Sequence, residues 1–201
     1  MIYDQNDKNR TLSFYDNLIA ENGIHTPQAL SWISDSTQGI RFAVLCGVGN
    51  ISKHSVLDMG CGFGDLYEFL GKNFQGFSYY GIDIHQKMIE AARTKHPTVK
   101  FDVMDFGNYT GAKFDYIVSS GALSFKVPDY KKLYFDHIQK MFEYSNTGVA
   151  FNMLNGKYHK DDETFTAYTI PEVYEFCSTL TERIIIRQDY LVQDFTVYLY
   201  H

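Results

Sequence analysis

Three carboxylates and three glycines carry the chemistry that this chain suggests first. Gly60, Gly62 and Gly64 alternate in "VLDMGCGFGDL", directly after the apolar run Ser55–Met59. Glycines at such a turn permit positive φ and let a ligand approach the backbone, and a helix opening at Asp65 presents free N–H groups to the same space. A dinucleotide fingerprint G-x-G-x-x-G begun at Gly60 needs a sixth-position glycine where Asp65 stands, and there is no G-K-[ST] for a phosphate-cradling loop. Asp58 and Asp65 flank the loop. Two carboxylates repel a pyrophosphate at short range and welcome a ligand that carries an ammonium group and a positive sulfur. Asp83 ends a second apolar run, "YYGIDI", at the interval where an acid accepts hydrogen bonds from both ribose hydroxyls. Ile84 then lies where an apolar side chain covers one face of an adenine. In "VMDF", Asp105 can accept from an adenine amino group and the Phe106 N–H can donate to a ring nitrogen. Each hydrogen bond to a charged group is worth about 1.5–3 kcal/mol.

These residues need elements to bring them to one place. "SVLDM", "FSYYGIDI", "VKFDV", "FDYIVSS" and "TGVAFNML" read as strands buried on both faces, with helical spacing between them. Leu66, Phe69 and Leu70 mark a helix over 65–73, and Met88, Ala91 and Ala92 one over 86–95. Tyr134, Ile138, Met141 and Phe142 form the buried stripe of a helix from about Asp129 to Glu143. The repeated β-α-β order predicts a parallel sheet with crossover helices. "TIPEVYEFCSTL" reads as a helix with a Thr169/Glu172 capping box and Pro171 in its first turn. The runs "ERIIIRQDY" and "FTVYLYH" follow so closely on one another that they must pair as an antiparallel hairpin. Before the sheet, helices are predicted around Lys8–Glu21 and Thr37–Leu45, the second with Ile40 and Leu45 facing the core. No linker or repeat separates them from the rest, so residues 1–54 read as a helical cap on a single domain, 1–201, with its core at 55–201.

Composition narrows the function. With 45% hydrophobic and 21% charged residues, a chain of 201 residues can bury one core without metals or disulfides. Cys46, Cys61 and Cys177 are too few and too scattered for a disulfide framework, a zinc site or an iron–sulfur cluster. They read as reduced thiols, and no metal site is expected. The N-terminus lacks a basic patch followed by an apolar core, and no apolar run is long enough to span a bilayer. The expectation is a cytoplasmic protein without a membrane partner. A net charge of −6 argues against a polyanionic partner, because nucleic-acid binding draws most of its affinity from neutralised phosphates.

At the glycine loop and the three acids the chain resembles the class I methyltransferases that depend on S-adenosylmethionine. "VLDMGCGFG" is similar to that family's first motif, "YYGIDI" to its ribose-binding acid, "FDVMDF" to its adenine motif and "FDYIVSSGAL" to its fourth strand. The resemblance covers about Ser55–Leu154. It implies an α/β, doubly wound, seven-stranded and mostly parallel sheet in the order 3-2-1-4-5-7-6, the last strand antiparallel, with helices on both faces and an N-terminal helical cap. It also implies S-adenosylmethionine as cofactor and S-adenosylhomocysteine as product. The amino-acid part of the cofactor falls to Asp58, Gly60, Cys61 and Gly62, the nucleoside to Asp83, Ile84, Met88, Asp105 and Phe106. Ser119, Ser120 and Gly121 close over the first end. In several small-molecule members an arginine about fifteen residues before the first strand grips the cofactor carboxylate, and Arg41 stands at that interval.

The acceptor is less marked. Displacement at an activated methyl group draws largely on positioning, and a general base is needed only for a nucleophile that holds its proton near neutral pH. No catalytic residue is therefore assigned. Members that methylate exocyclic base amines commonly carry Asn/Asp-Pro-Pro-aromatic after the fourth strand, where this chain has "SSGALSF". A small-molecule acceptor is expected. Tyr15, Trp32, Phe125, Tyr158 and His159 are its candidate contacts, with His25 beside them on the cap, while His137, inside an amphipathic helix, reads as structural. The alternatives are a methyltransferase acting on RNA or protein and a non-catalytic S-adenosylmethionine-binding module.

Overall fold

A computed structural model describes residues 3–32, 34–160 and 162–201. Alternation along its strands decides which helices cover which face. The sheet contains β1 (Ser55–Met59), β2 (Ser78–Asp83), β3 (Lys100–Val103), β4 (Phe114–Ser119), β5 (Ser145–Leu154), β6 (Ile184–Arg187) and β7 (Asp194–Tyr200). Leu57 and Met59 of β1 point to one side, with Ile117 of β4, Val149 and Phe151 of β5 and Val197 of β7. They meet Leu133, Tyr134, Ile138 and Met141 of α5 (Tyr130–Tyr144) and Val173 and Cys177 of α6 (Ile170–Ser178). Val56 points the other way, with Tyr79, Tyr116, Val118 and Ala150. That side is covered by α2 (Asp35–Leu45), α3 (Asp65–Asn73) and α4 (Gln86–Lys95). The period of two in each strand thus supplies two apolar layers from one sheet.

The strands run β3-β2-β1-β4-β5-β7-β6. β1 through β5 pair in parallel, and β7 pairs antiparallel with both β5 and β6. This is the expected order, closing hairpin included. The Thr169/Glu172 capping box is formed, with Glu172 Oε1 accepting from the Thr169 N–H at 2.9 Å. The helix predicted at 37–45 forms as α2, but its inward face differs. Ile40 is 39% exposed, whereas Gln38, Arg41, Phe42 and Leu45 are buried. Positions 38, 41, 42 and 45 follow the i, i+3, i+4, i+7 stripe that a helix must bury, and position 40 falls between its turns. Phe142 of α5 is only partly buried and stacks on His201 at 4.0 Å between ring centroids. Ahead of the sheet, α1 (Gln5–Asn22) is capped by Asp4, whose carboxylate accepts from Asn6 N–H, and lies across the strand ends through Tyr15, Leu12 and Thr11.

Candidate cofactor cleft

The carboxyl ends of β1, β2 and β4 open onto one cleft, roofed by α1 and by the segment through Trp32. Its floor is the glycine loop. Gly60, Gly62 and Gly64 have φ of +78°, +53° and +78°, and at Gly60 a Cβ would lie 2.3 Å from that of Ala122. The Gly60 and Cys61 N–H groups donate to the Ile82 carbonyl at 2.8 and 3.0 Å, which folds the loop over the end of β2. Gly81 stands opposite Asp58 in the register, and the space that its missing side chain leaves is taken by Phe101 and Cys61.

The three acids differ in what already holds them. Asp58 is 2% exposed, and one oxygen accepts a 2.5 Å hydrogen bond from the Tyr79 phenol. Burial pushes its carboxyl up to about 7; the Tyr79 bond opposes this, while Asp83 and Asp65 add to it. Asp83 accepts from Gly62 N–H at 3.0 Å with one oxygen and from His85 N–H at 2.9 Å with the other. Burial raises its pKa, and these backbone bonds work against the rise. Asp105 accepts from Gly107 N–H at 2.8 Å and from Tyr3 N–H at 3.1 Å, so the start of the chain reaches the end of β3. Asp65 is compensated differently: its oxygens meet Lys95 Nζ at 2.9 Å and the Gln38 amide at 3.4 Å.

Of the residues expected to hold the cofactor, Asp58, Gly60, Cys61, Gly62, Asp83, Ile84, Met88, Asp105, Phe106, Ser120 and Gly121 line this cleft. Ser119 lies beneath it, fully buried. The turn after β4 is fixed by Asn152, whose Oδ1 accepts from Gly121 N–H at 2.9 Å while its amide donates to Ser120 Oγ at 3.2 Å. Arg41 does not line the cleft. It pairs with Asp194 at 2.6 Å and lies over the Trp32 ring, 4.4 Å from its centroid. Among the expected acceptor contacts, Tyr15, Trp32 and Phe125 line the cleft, and Tyr158 and His159 do not. Tyr158 is exposed, and His25 packs edge-on against Phe63 away from the lining.

Sequence reasoning passed over Tyr3, Gln38, His85 and Met104, which also line the cleft, and took His137, which lines it too, as structural. Gln38 was findable, since it lies one turn before Arg41 on the same helix face. His85 was findable as an odd residue at a helix N-cap, where Ser, Thr, Asp or Asn is favoured. Tyr3 had no signal, because only the folded chain carries it 102 positions away to Asp105.

An open sheet of this order, with a glycine loop after β1 and acids after three successive strands, is the fold of the class I S-adenosylmethionine-dependent methyltransferases. Residues 56–144, a little under half of the chain, match a methyltransferase domain family, and over that stretch the chain is similar to it. The chain is 27% identical over 150 residues to malonyl-[acyl-carrier protein] O-methyltransferase 1 of Ilyobacter polytropus, covering 73% of this chain and 51% of that protein. It is 37% identical over 57 residues to trans-aconitate 2-methyltransferase of Delftia acidovorans, covering 28% of this chain and 21% of that protein. The chain thus spans about half of the length of the first of these curated relatives and about a fifth of the second. Among solved structures, magnesium protoporphyrin IX methyltransferase from Synechocystis PCC 6803 with bound S-adenosylhomocysteine superposes with a TM-score of 0.67 at 15% identity, over 96% of this chain and 98% of that one.

Proposed function

We propose that this protein transfers a methyl group from S-adenosylmethionine to a small molecule. The observation that carries the proposal is the convergence of Asp58, Asp83 and Asp105 on one cleft above a glycine loop with positive φ. Such a group fits the residues present. Asp58 is buried, and among the described residues the Tyr79 phenol is what opposes the rise of its pKa, which a neighbouring ammonium would relieve. Asp83 keeps a spare lone pair on each oxygen beyond its two backbone bonds. When bound, S-adenosylmethionine supplies an activated methyl group for in-line displacement, with the electron pair left on sulfur.

The chain's own residues then bind and orient. Asp58 with the Gly60–Gly62 backbone holds the ammonium end, Asp83 the ribose, Asp105 and the Phe106 N–H the adenine, and Ile84 and Met88 pack on the ring. Ser119, Ser120 and Gly121 close the reacting end. Arg41, paired with Asp194 outside the cleft lining, takes the cofactor carboxylate by giving up Asp194. Tyr15, Trp32 and Phe125 form the wall for the acceptor, and Tyr158 and His159 sit outward of it on the 155–160 turn.

An apolar, aromatic wall favours an organic acceptor over a phosphodiester chain, as does the net charge of −6. The name of one curated relative, the malonyl-[acyl-carrier protein] O-methyltransferase, points to an oxygen nucleophile, and a carboxylate acceptor would need no general base. We read 1–201 as one domain because α2, ahead of the sheet, is part of the same core. No helix of the described residues is long and apolar enough to cross a membrane, and the free cysteines suit a cytoplasmic setting.

Calorimetry with S-adenosylmethionine and S-adenosylhomocysteine, with NAD as control and Asp83→Ala beside the unaltered protein, tests the proposal. Micromolar binding that weakens tenfold or more in the variant, as expected for about 1.5–3 kcal/mol of charged hydrogen bonding, supports it. No binding of either ligand by folded protein sinks it.

A further inference from the structure

His85 is a buried polar side chain of the cleft that the reading above does not use. It is 3% exposed, lines the cleft beneath α1, and among the described residues neither Nδ1 nor Nε2 has a hydrogen-bond partner. It occupies the N-cap position of α4, yet its side chain makes no capping bond. A histidine placed there gives up the cap that Ser, Asp or Asn would provide. Buried imidazole nitrogens without partners are rare enough in folded proteins to need a reason.

The surroundings supply one. The His85 backbone N–H donates to Asp83, so the ring is fixed two residues from the acid assigned to the ribose. Asp83 already spends one lone pair of each oxygen on Gly62 and His85. A ribose brings two hydroxyl donors into this crowded position. On the far side of the ring, Asp16 of α1 stands 3.7 Å from Nε2, and Lys87 also reaches that carboxylate at 2.5 Å. A carboxylate beside Nε2 favours the tautomer protonated there, which leaves the Nδ1 lone pair as an acceptor.

Resting on the methyltransferase reading, we propose that His85 is a second ribose contact, with Nδ1 accepting from a hydroxyl, and that Asp16 is a positioning residue that sets its tautomer. The nucleoside site thereby reaches α1, since Asp16 and the cleft-lining Tyr15 are neighbours on that helix.

The test compares adenosine with 2′,3′-dideoxyadenosine, and S-adenosylhomocysteine as reference, on the intact chain by calorimetry. The preference for adenosine over its dideoxy analogue is expected to shrink about tenfold in His85→Ala, the order for one hydrogen bond lost from a closed site. His85→Asn, whose amide oxygen can take the place of Nδ1, should retain most of the preference. His85→Gln, whose amide reaches toward the Nε2 position, should lose it, and this variant decides the matter should the alanine variant not fold. Asp16→Asn should reduce the preference by a smaller factor. A merely structural role would lower thermal stability and leave the ratio unmoved. If the unaltered protein binds S-adenosylhomocysteine and the ratio is unchanged in both His85→Ala and His85→Gln, the ribose contact is wrong while the function stands. If the unaltered protein binds neither S-adenosylhomocysteine nor adenosine, the function falls and the contact with it.

Discussion

The Tyr79 phenol donates to Asp58 at 2.5 Å across two adjacent strands, and it is the side-chain hydrogen bond that holds the carboxylate nearest the glycine loop. Burial lifts Asp58 to about 7. Its unfolded value is that of an ordinary carboxylate, so between about pH 4 and 7 the folded chain keeps a proton that the unfolded chain has lost. From this group, stability falls as pH rises through that window. A bound ammonium favours the ionised form and pulls the pKa back down. Affinity for S-adenosylhomocysteine should therefore weaken as pH falls below about 7, more steeply than affinity for adenosine, which lacks the ammonium. Binding near neutrality should release protons, read as a dependence of calorimetric heat on the buffer's ionisation enthalpy.

Removing the phenol sharpens this. The Tyr79 bond lowers the Asp58 pKa, so Tyr79→Phe should raise it further and move the pH midpoint of cofactor binding upward. The same midpoint in the variant and the unaltered protein would mean that Asp58 is not the titrating group.

Gly121 has φ +79°, and a Cβ there would lie 2.4 Å from the Trp32 ring. Gly121→Ala should cost about 1–2 kcal/mol for the left-handed backbone and about 1–3 kcal/mol for the collision. Adding Trp32→Ala should recover the second loss and leave the first, as measured by denaturant unfolding.

The Arg41–Asp194 pair is nearly closed off from solvent, at 10% and 3% side-chain exposure. Burial raises the Asp194 pKa and the Arg41 charge opposes the rise. Asp194→Asn leaves the guanidinium without its counter-charge and should destabilise the fold by about 3–5 kcal/mol. The double variant Arg41→Gln/Asp194→Asn should be more stable than Asp194→Asn alone. If Arg41 exchanges partners on loading, cofactor should also rescue Asp194→Asn by more than it raises the melting temperature of the unaltered protein.

By itself the sequence determined the sheet and the acids on it. Strand runs, helix spacing and the capping box are local patterns, and the glycine loop with Asp58, Asp83 and Asp105 lies within one turn of the strand ends that carry it. Where a side chain belongs to a regular element, the periodicity of that element settles its face, and even the misplaced Ile40 was recoverable from the helical stripe of α2. Tertiary structure alone decided which distant groups share the cleft. Tyr3 reaches Asp105, Asp16 of α1 comes to His85, and Arg41 is drawn away to Asp194, whose neighbour in the sheet is fixed by the antiparallel register of β5 and β7. Those contacts join residues tens to more than a hundred positions apart, and no local propensity encodes them. They follow from burial, which collects charges that water would otherwise separate and makes each find the partner that the fold leaves within reach.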